Sequence, residues 1–174
     1  SLSLACAQRG LVVAELTATG AQRHAAHSAT QGDNAILTLA HDLTRAETLF
    51  AEREHALLGR VSVTPTMISG GVARNLTAPS ATAVLEIRTT PDWTHDEIEA
   101  RLHAELRAEV SIASKRLVPC ETPGDSRLLA TALRLRADAR RYGSPTCSDW
   151  VFVRHLDALK CGPGESSLSH RPDE

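Results

Sequence analysis

The sequence predicts an α+β protein with a ferredoxin-like split βαβ arrangement, in which two helices cover one face of a four-stranded antiparallel sheet. Three observations support this fold class. Several stretches alternate between apolar and polar residues, as half-buried strands do. Two stretches repeat apolar residues at helical spacing behind a capping residue. Their order between about residues 4 and 114 is strand, helix, strand, strand, helix, strand.

The first strand and the first helix are predicted before residue 50. Residues 11–19 (LVVAELTAT) place four apolar side chains on one face, which are Val12, Ala14, Leu16 and Ala18. A polar loop follows Gly20, and Asp33 or Asn34 is expected to cap the next helix. The apolar stripe of this helix consists of Ile36, Leu39, Ala40 and Leu43.

Two further strands are predicted at residues 60–68 (RVSVTPTMI) and 82–90 (TAVLEIRTT). In the first strand, Val61, Val63 and Met67 are expected to share one face. Pro65 has no backbone N–H to donate, so this strand is expected at a sheet edge or with a bulge. In the second strand, the alternation turns Arg88 away from the apolar face.

A second helix and a last strand complete this arrangement. Thr94 and Glu97 have the spacing of a capping box, and Asp96 adds a negative charge to the first helical turn. The buried stripe of the helix is expected to consist of Ile98, Leu102 and Leu106. Residues 109–113 (EVSIA) predict a short strand.

The character of the sequence changes from about Lys115, where KRLVPCETPGD forms a connector. Ser126 is expected to cap a helix over residues 127–142, closed by Gly143. A short helix in VFVRHL and a short strand in DALKCGP follow. Because so few elements cannot enclose a core, we expect residues 115–174 to pack on protein outside this chain or on a second copy.

Composition and charge exclude several functional classes. The 174 residues are 42% hydrophobic and 23% charged, with a net charge of −2, so nothing favours nucleic acid or a membrane as a partner. No apolar run approaches membrane-spanning length. The four cysteines contain no CxxC pair, which predicts reduced thiols in a cytoplasmic protein.

Seven of the eight histidines divide into two groups by their surroundings. Four lie among charged residues on predicted helices or helix ends and are expected to be solvated, namely His41, His55, His95 and His103. Three lie in loops of small and polar residues, where functional side chains are common, namely His24, His27 and His170. One histidine with the nearby Asp173 or Glu174 is too small a ligand set for zinc, so the residues alone favour an ordinary loop histidine at His170.

Four stretches, taken in order, carry a family resemblance: RGLVVAELTATGAQRHAAHSATQGDNAI, GGVARNLTAPSATAVLEIRTTP, GSPTCSDWVF and KCGPGESSLSHRPDE. Together they resemble the co-catalytic zinc amidohydrolases. That family includes acetylornithine deacetylase, succinyl-diaminopimelate desuccinylase, aminoacylase and carboxypeptidase G. The resemblance covers essentially the whole chain.

The resemblance implies an α/β zinc-binding catalytic domain that is interrupted by a ferredoxin-like, dimerising lid. Residues 1–114 correspond to the lid, and residues 115–174 correspond to an incomplete C-terminal piece of the catalytic domain. In the family, the first histidine ligand, the bridging aspartate and a pair of glutamates precede the lid. The chain is therefore expected to be a fragment that lacks the N-terminal catalytic half and is inactive alone.

The resemblance also implies roles for individual residues. His170 in SLSHRPDE matches the C-terminal zinc ligand of the family. His24, with His27 as the alternative, matches a lid histidine that stabilises an oxyanion in the partner subunit's site. The residues that match substrate contacts are Asn75, Arg88, Thr146, Ser148 and Gly164. Among these, Arg88 is expected to bind the substrate carboxylate.

The implied reaction is hydrolysis of the amide bond of N-acyl amino acids by two zinc ions, or by cobalt in their place. The motifs are most similar to those of acetylornithine deacetylases of arginine biosynthesis. The implied partners are an N-acyl amino acid substrate and a second copy of the chain, bound through the lid. The alternative function is a non-catalytic dimerisation or binding module that keeps the lid without the metal site.

Overall fold

The strands of the protein form two four-stranded β-sheets. The computed structural model describes residues 3–30 and 34–162. The elements in chain order are β1 (Ser3–Gln8), β2 (Gly10–Thr19), α1 (Ala35–Thr48), β3 (Ser62–Gly70), β4 (Ser80–Thr89), α2 (His95–Glu105), β5 (Glu109–Leu117), β6 (Cys120–Glu121), α3 (Arg127–Leu135), β7 (Arg140–Ser144) and β8 (Lys160–Gly162). The antiparallel sheet has the strand order β3-β4-β2-β5, and the mixed sheet consists of β1 with β6, β7 and β8. The predicted α+β class is confirmed.

The antiparallel sheet buries one face under α1 and α2. β2 and β4 pair along their full lengths, from Gly10 opposite Thr89 to Thr19 opposite Ser80. Alternate residues of both strands are buried. They form one core with the two helices, which includes Val12, Leu16, Leu39, Phe50, Leu85, Ile98 and Leu102. The arrangement confirms the predicted four-stranded sheet with two helices on one side.

Both of these helices begin where the capping residues predict. The Asn34 carboxamide oxygen accepts from Ile36 N–H at 3.0 Å. The Thr94 hydroxyl accepts from Glu97 N–H at 3.1 Å, while the Glu97 carboxylate accepts from Thr94 N–H at 2.8 Å. This reciprocal pair is the predicted capping box. None of the helices within residues 3–30 and 34–162 is long and apolar enough to cross a membrane.

β3 lies at a sheet edge and carries a bulge, as Pro65 predicts. The register with β4 shifts between Pro65, opposite Leu85, and Met67, opposite Val84. The prediction that Met67 shares a face with the preceding valines is wrong, because the extra residue of a bulge reverses the alternation of a strand. Met67 is 67% exposed and lies with Val84 on the sheet face away from the helices.

The mixed sheet gives the C-terminal segment a partner within its own chain. β1 pairs in parallel with β7 and antiparallel with β6 and β8. Leu4 and Cys6 of β1 pack with Leu129 of α3 in a small second core. The expectation that this segment packs on protein outside the chain or on a second copy is therefore wrong for its described part. The strand at residues 3–8 is not among the strands that the sequence predicts.

The predicted helix over residues 127–142 is wrong beyond Leu135, where α3 ends. A turn over residues 136–139 leads into β7, because pairing of residues 140–144 with the distant β1 overrides the local helical pattern. Gly143 lies within this strand and does not close a helix. A Cβ atom at Gly143 would overlap the Leu57 carbonyl, so glycine is required by the close approach of two backbone segments.

The connections between the two sheets are short. The chain passes from the mixed sheet to the antiparallel sheet through Arg9, and it returns through residues 118–119. β1 lies before the predicted boundary at residue 114, but its sheet partners β6, β7 and β8 all lie after that boundary. The division of the chain at residue 114 into a lid and a catalytic segment stays a prediction.

Candidate substrate-binding site

The loop that carries the two candidate histidines runs beside the loop that carries Asn75. Ala25 N–H donates to the Asn75 carbonyl, and Thr77 N–H donates to the Arg23 carbonyl, both at 2.9 Å. The hydroxyl of the buried Thr77 also accepts from Arg23 N–H at 2.8 Å. His24 forms an isolated bridge with the residue that follows Asn75. The structure therefore brings His24 and Asn75 together.

His24 and His27 are both exposed in this loop, with ring centroids 6.1 Å apart. Ala26 N–H donates to Nδ1 of His24 at 3.3 Å. This contact assigns the ring proton of neutral His24 to Nε2. Nε2 is then a hydrogen-bond donor, which is the property that stabilises an oxyanion. The preference for His24 over His27 stays a prediction.

Arg88 lies near the end of β4, on the sheet face that the helices leave uncovered. Its Nε donates to the carboxylate of Glu86 at 2.8 Å, and Glu86 lies on the same face because it is two residues earlier. Its Nη1 lies 3.8 Å from Sγ of Cys147. The Arg88 side chain is 29% exposed, so its guanidinium remains accessible to a carboxylate from solution.

Cys147 connects Arg88 to the turn after β7. Its Sγ donates to the Arg9 carbonyl at 3.1 Å and accepts from Arg88. Burial raises the pKa of the Cys147 thiol, and the positive charge of Arg88 offsets that rise in part. The thiol is therefore protonated at neutral pH, and it acts as a hydrogen-bonding group between these two arginines rather than as a nucleophile.

Thr146 and Ser148 flank Cys147 in the same turn, so the structure places both near Arg88. The Ser148 hydroxyl donates to the Gln8 carboxamide at 2.6 Å and accepts from Trp150 N–H at 3.4 Å. Ser148 therefore holds the turn against β1. Thr146 is exposed, and its backbone carbonyl accepts from the Ser144 hydroxyl at 3.3 Å. A substrate contact for Thr146 and for Ser148 stays a prediction.

The candidate residues fall into two groups at opposite ends of the antiparallel sheet. The group of His24 and Asn75 lies at the start of β4, and the group of Arg88 with residues 146–148 lies at its end. β4 has ten residues, and nine steps of about 3.3 Å separate its ends by about 30 Å. One subunit therefore cannot bring both groups to the same small substrate.

The predicted zinc ligand His170 and the predicted contact Gly164 lie outside the described residues. Among residues 3–30 and 34–162, no three histidine, cysteine, aspartate or glutamate side chains come together as a metal site would require. The described residues therefore do not by themselves fit a zinc ion.

His95 was expected to be solvated, and this prediction is wrong. It is 7% exposed at the start of α2. Its Nδ1 lies 2.7 Å from the Lys115 carbonyl, and its Nε2 lies 2.9 Å from the Thr89 hydroxyl. Burial is the main cause that lowers the pKa of His95, and the contact with the Lys115 carbonyl opposes it.

His55 was also expected to be solvated and is buried. Its Nδ1 accepts from Leu57 N–H at 3.2 Å and from Leu58 N–H at 3.3 Å. The ring proton is therefore on Nε2, which lies 3.3 Å from the Glu121 carboxylate of β6. His55 thus connects the loop before β3 to the mixed sheet.

Arg9, Glu86 and Cys147 are not among the residues that the sequence predicts to be functional. Glu86 could have been found, since it shares a strand face with Arg88 at a spacing of two. Arg9 and Cys147 have no local signal, because they contact groups far away in the chain. The carbonyls that accept from the Arg9 side chain are 49, 51 and 79 residues away in sequence.

The sequence matches the family described as the peptidase dimerisation domain (M20 dimer) over residues 6–112, which is more than half of the chain. The search of curated proteins found no match. The matched region extends from β1 into β5. It contains four of the candidate residues, which are His24, its alternative His27, Asn75 and Arg88.

Three solved structures have a similar fold. A hydantoinase/carbamoylase family amidase from Burkholderia ambifaria matches 92% of this chain and 41% of its own, with a TM-score of 0.70 and 14% identity. The aminopeptidase PepT from Bacillus cereus ATCC 10987 matches 90% of this chain and 44% of its own, with a TM-score of 0.67 and 11% identity. A tripeptidase from Staphylococcus aureus also matches 90% and 44%, with a TM-score of 0.67 and 13% identity. The chain thus spans less than half the length of these proteins.

Proposed function

This chain belongs to the peptidase dimerisation domain family, and from that membership we propose that it is the dimerising part, with an adjoining segment, of a zinc-dependent amidohydrolase. The proposed reaction is hydrolysis of the amide bond of N-acyl amino acids, as in the deacetylation of acetylornithine during arginine biosynthesis. The names of the similar structures, an amidase, an aminopeptidase and a tripeptidase, support a hydrolase. Four free cysteines are in keeping with a cytoplasmic enzyme.

The observation that carries this proposal is the separation of the candidate residues into two groups. His24 and Asn75 are neighbours at one end of the antiparallel sheet, while Arg88 and residues 146–148 lie at the other end. A site that uses both groups needs two subunits. We assign His24 and Asn75 to the site of the partner subunit, and Arg88 to the site of its own subunit.

The chemistry of each group suits the part we assign to it. The Nε2–H of His24 donates to the oxyanion that forms when the amide carbonyl is attacked. The guanidinium of Arg88 pairs with the substrate carboxylate in a bidentate arrangement. Glu86 holds the guanidinium plane through Nε. Asn75 offers a carboxamide that both donates and accepts hydrogen bonds to substrate.

Zinc enters this proposal through His170, which lies outside the described residues. Residues 3–30 and 34–162 contain no cluster of three ligands, and we assign the remaining ligands to protein outside this chain. When bound, zinc or cobalt would polarise the amide carbonyl and activate water. The residues described here bind substrate and stabilise charge around that chemistry.

The edge strand β3 and helix α1 form the surface that we assign to dimerisation. Among the strands of residues 3–30 and 34–162, β3 pairs only with β4, so its outer backbone groups are available to another strand. Exposed apolar side chains lie along this edge. Ile36 and Ile68 are on the helix side of the sheet, Met67 is on the opposite face, and Leu37 and Val72 are exposed nearby in the chain. Ile36 and Ile68 line a small open cavity of about 220 Å³. A second copy would cover this apolar patch and extend the sheet.

Mixed dimers of the complete enzyme test the two-subunit site. One subunit carries His24→Ala and the other carries Arg88→Met, and each homodimer alone is expected to lose at least tenfold in kcat/KM. In a mixed dimer, one of the two sites keeps both residues. Random reassociation at equal amounts should therefore restore about a quarter of wild-type activity on an N-acyl amino acid.

The matched control replaces the neighbouring histidine, His27→Ala, in place of His24→Ala. If His27 is the residue that reaches the partner site, His27→Ala will lose activity and recover it in mixed dimers with Arg88→Met. His24→Ala will then keep its activity. No recovery in any mixture, with dimers verified by mass, contradicts the two-subunit site. The 174-residue chain alone with zinc is expected to give no turnover, and turnover would contradict the assignment of the metal ligands to protein outside the chain.

A further inference from the structure

The guanidinium of Arg9 donates hydrogen bonds to three backbone carbonyls at the junction of the two sheets. Its Nη1 donates to Arg60 O at 2.8 Å and to Arg88 O at 3.1 Å. Its Nη2 donates to Leu58 O. Two of these carbonyls belong to the loop before β3, and the third belongs to the end of β4. The Arg9 side chain therefore joins two separate segments of the antiparallel half of the molecule.

The loop that supplies two of the carbonyls has a fixed shape. His55 and Gly59 exchange backbone hydrogen bonds at 3.0 and 2.8 Å. Gly59 has a φ of +69°, which a residue with a side chain rarely adopts. The His55 imidazole accepts two N–H groups from within the loop. The carbonyls of Leu58 and Arg60 are thus held in place before Arg9 reaches them.

The backbone of Arg9 contacts the other sheet. Its N–H donates to Ser144 O at the end of β7, at 3.1 Å, and its carbonyl accepts from the Cys147 thiol, also at 3.1 Å. Cys147 in turn accepts from the Arg88 side chain. Arg9 and Arg88 are therefore connected in two ways. The Arg9 side chain donates to the Arg88 carbonyl, and the Arg9 carbonyl accepts from the Cys147 thiol, which itself accepts from the Arg88 side chain.

We propose that Arg9 is a positioning residue for Arg88, which fixes the end of β4 against the turn at residues 144–148 and so sets where the Arg88 guanidinium stands. This inference rests on the proposed function, because it takes Arg88 as the contact for the substrate carboxylate. The Arg9 side chain donates to three backbone carbonyls, and in this proposal it acts through Arg88 without a contact to substrate or metal. Lysine cannot replace it, since one ammonium group cannot span three carbonyls as a planar guanidinium does.

The kinetic test uses the complete enzyme with Arg9→Lys, which keeps the charge. We expect KM for an N-acyl amino acid to rise by about tenfold while kcat stays within about twofold, because a ground-state contact is displaced. An N-acyl amine that lacks the carboxylate should show no such change. In an Arg88→Met background, Arg9→Lys should add nothing further, since its effect passes through Arg88.

Two outcomes separate this inference from the proposed function. If Arg88→Met raises KM and Arg9→Lys does not, Arg9 has no positioning role and the assignment of Arg88 stands. If Arg88→Met itself leaves KM unchanged for carboxylate substrates, the proposed function of Arg88 is wrong. Additive effects of the two substitutions overturn the claim that Arg9 acts through Arg88.

A second measurement needs no activity and uses the 174-residue chain. Cys147 is half-buried beneath Arg9 and Arg88, whereas Cys161 is exposed and serves as an internal reference. Peptide mapping after iodoacetamide gives the alkylation rate of each thiol. We expect Arg9→Lys and Arg9→Gln to raise the rate of Cys147 relative to Cys161 by about tenfold. The exposed Arg116, replaced by lysine, is the matched control and should leave the ratio unchanged. An unchanged ratio in both Arg9 variants overturns the inference.

Discussion

At the scale of single residues, burial decides the chemistry of side chains whose sequence neighbours are charged. His95 and His103 lie in the same helix, and His95 is followed directly by Asp96. His95 is buried, whereas His103 is exposed. Nδ1 of His95 faces the carbonyl of Lys115, and Nε2 faces the hydroxyl of Thr89. The neutral ring satisfies both contacts, and burial disfavours the charged form of the ring and so lowers the pKa of His95.

The protein should lose stability as the pH falls below about 6.5, the ordinary pKa of histidine. Because the folded state lowers the pKa of His95, the unfolded chain binds this proton first. The stabilising contribution is complete above about 6.5 and is lost as the pH falls towards the folded-state pKa. Urea unfolding at pH 7.5 and pH 5.0 measures the change.

His95→Gln identifies the group responsible for this pH dependence. The substitution should cost about 1–2 kcal/mol at pH 7.5 through lost hydrogen bonds, and it should reduce the difference in unfolding free energy between the two pH values. His103→Gln is the matched control, because His103 is exposed in the same helix. A pH dependence that is the same in His95→Gln and in the wild type would show that another group is responsible.

At the scale of elements, α2 is held at its start by a network around Glu97. The N–H and hydroxyl of Thr94 and the guanidinium of Arg53 donate to this carboxylate. Their hydrogen bonds lower the pKa of Glu97 to about 2, with the Thr94 N–H contributing most. The stabilisation is complete above the ordinary pKa of glutamate, about 4.3. It is lost as the pH falls towards 2.

Thr94→Ala should lower the free energy of unfolding by about 1 kcal/mol, because the hydroxyl that caps α2 is removed. Chemical unfolding at pH 7 measures the loss. Thr44→Ala is the matched control, since Thr44 is exposed in the interior of α1 and alanine is the better helix former. We expect no loss in the control. An equal loss in both variants would mean that capping is not the cause.

At the scale of the whole molecule, the edge of the antiparallel sheet governs assembly. Ile68→Lys places a charge on the exposed apolar patch at β3, and it should raise the dissociation constant of the dimer by at least tenfold, because a charge at a strand edge opposes pairing. Sedimentation equilibrium at micromolar concentration measures it. The equally apolar Leu135, which is 75% exposed on α3, supplies the control Leu135→Lys. A wild-type chain that stays monomeric contradicts the assigned interface.

Local patterns predicted much of the antiparallel half. Alternation identified the buried faces of β2 and β4, and the capping residues placed the starts of α1 and α2. Pro65 indicated an edge or a bulge, and β3 has both. Alternation gave the wrong face for Met67, two residues after Pro65, because the bulge between them reverses the alternation. The residues that resemble a substrate site were also found locally, since each lies in a short motif.

The mixed sheet and the junction could not be predicted in this way. The pattern of residues 127–142 favoured one helix. In the structure the helix ends at Leu135, and residues 140–144 form a strand because they pair with β1. Arg9 reads as an ordinary charged residue beside a strand, yet its side chain contacts carbonyls that are 49 to 79 residues away. Two histidines in charged surroundings proved to be buried because distant segments cover them.

Spacing along the chain was enough to predict the order of the elements in the antiparallel half, the buried faces of β2 and β4, and the motifs that resemble a substrate site. The tertiary structure decided which of those residues meet. It placed His24 beside Asn75, placed Arg88 beside Cys147, and set the two pairs about 30 Å apart at opposite ends of one strand. The physical reason is that proximity across a fold comes from strand pairing and burial between distant segments, which no local pattern encodes.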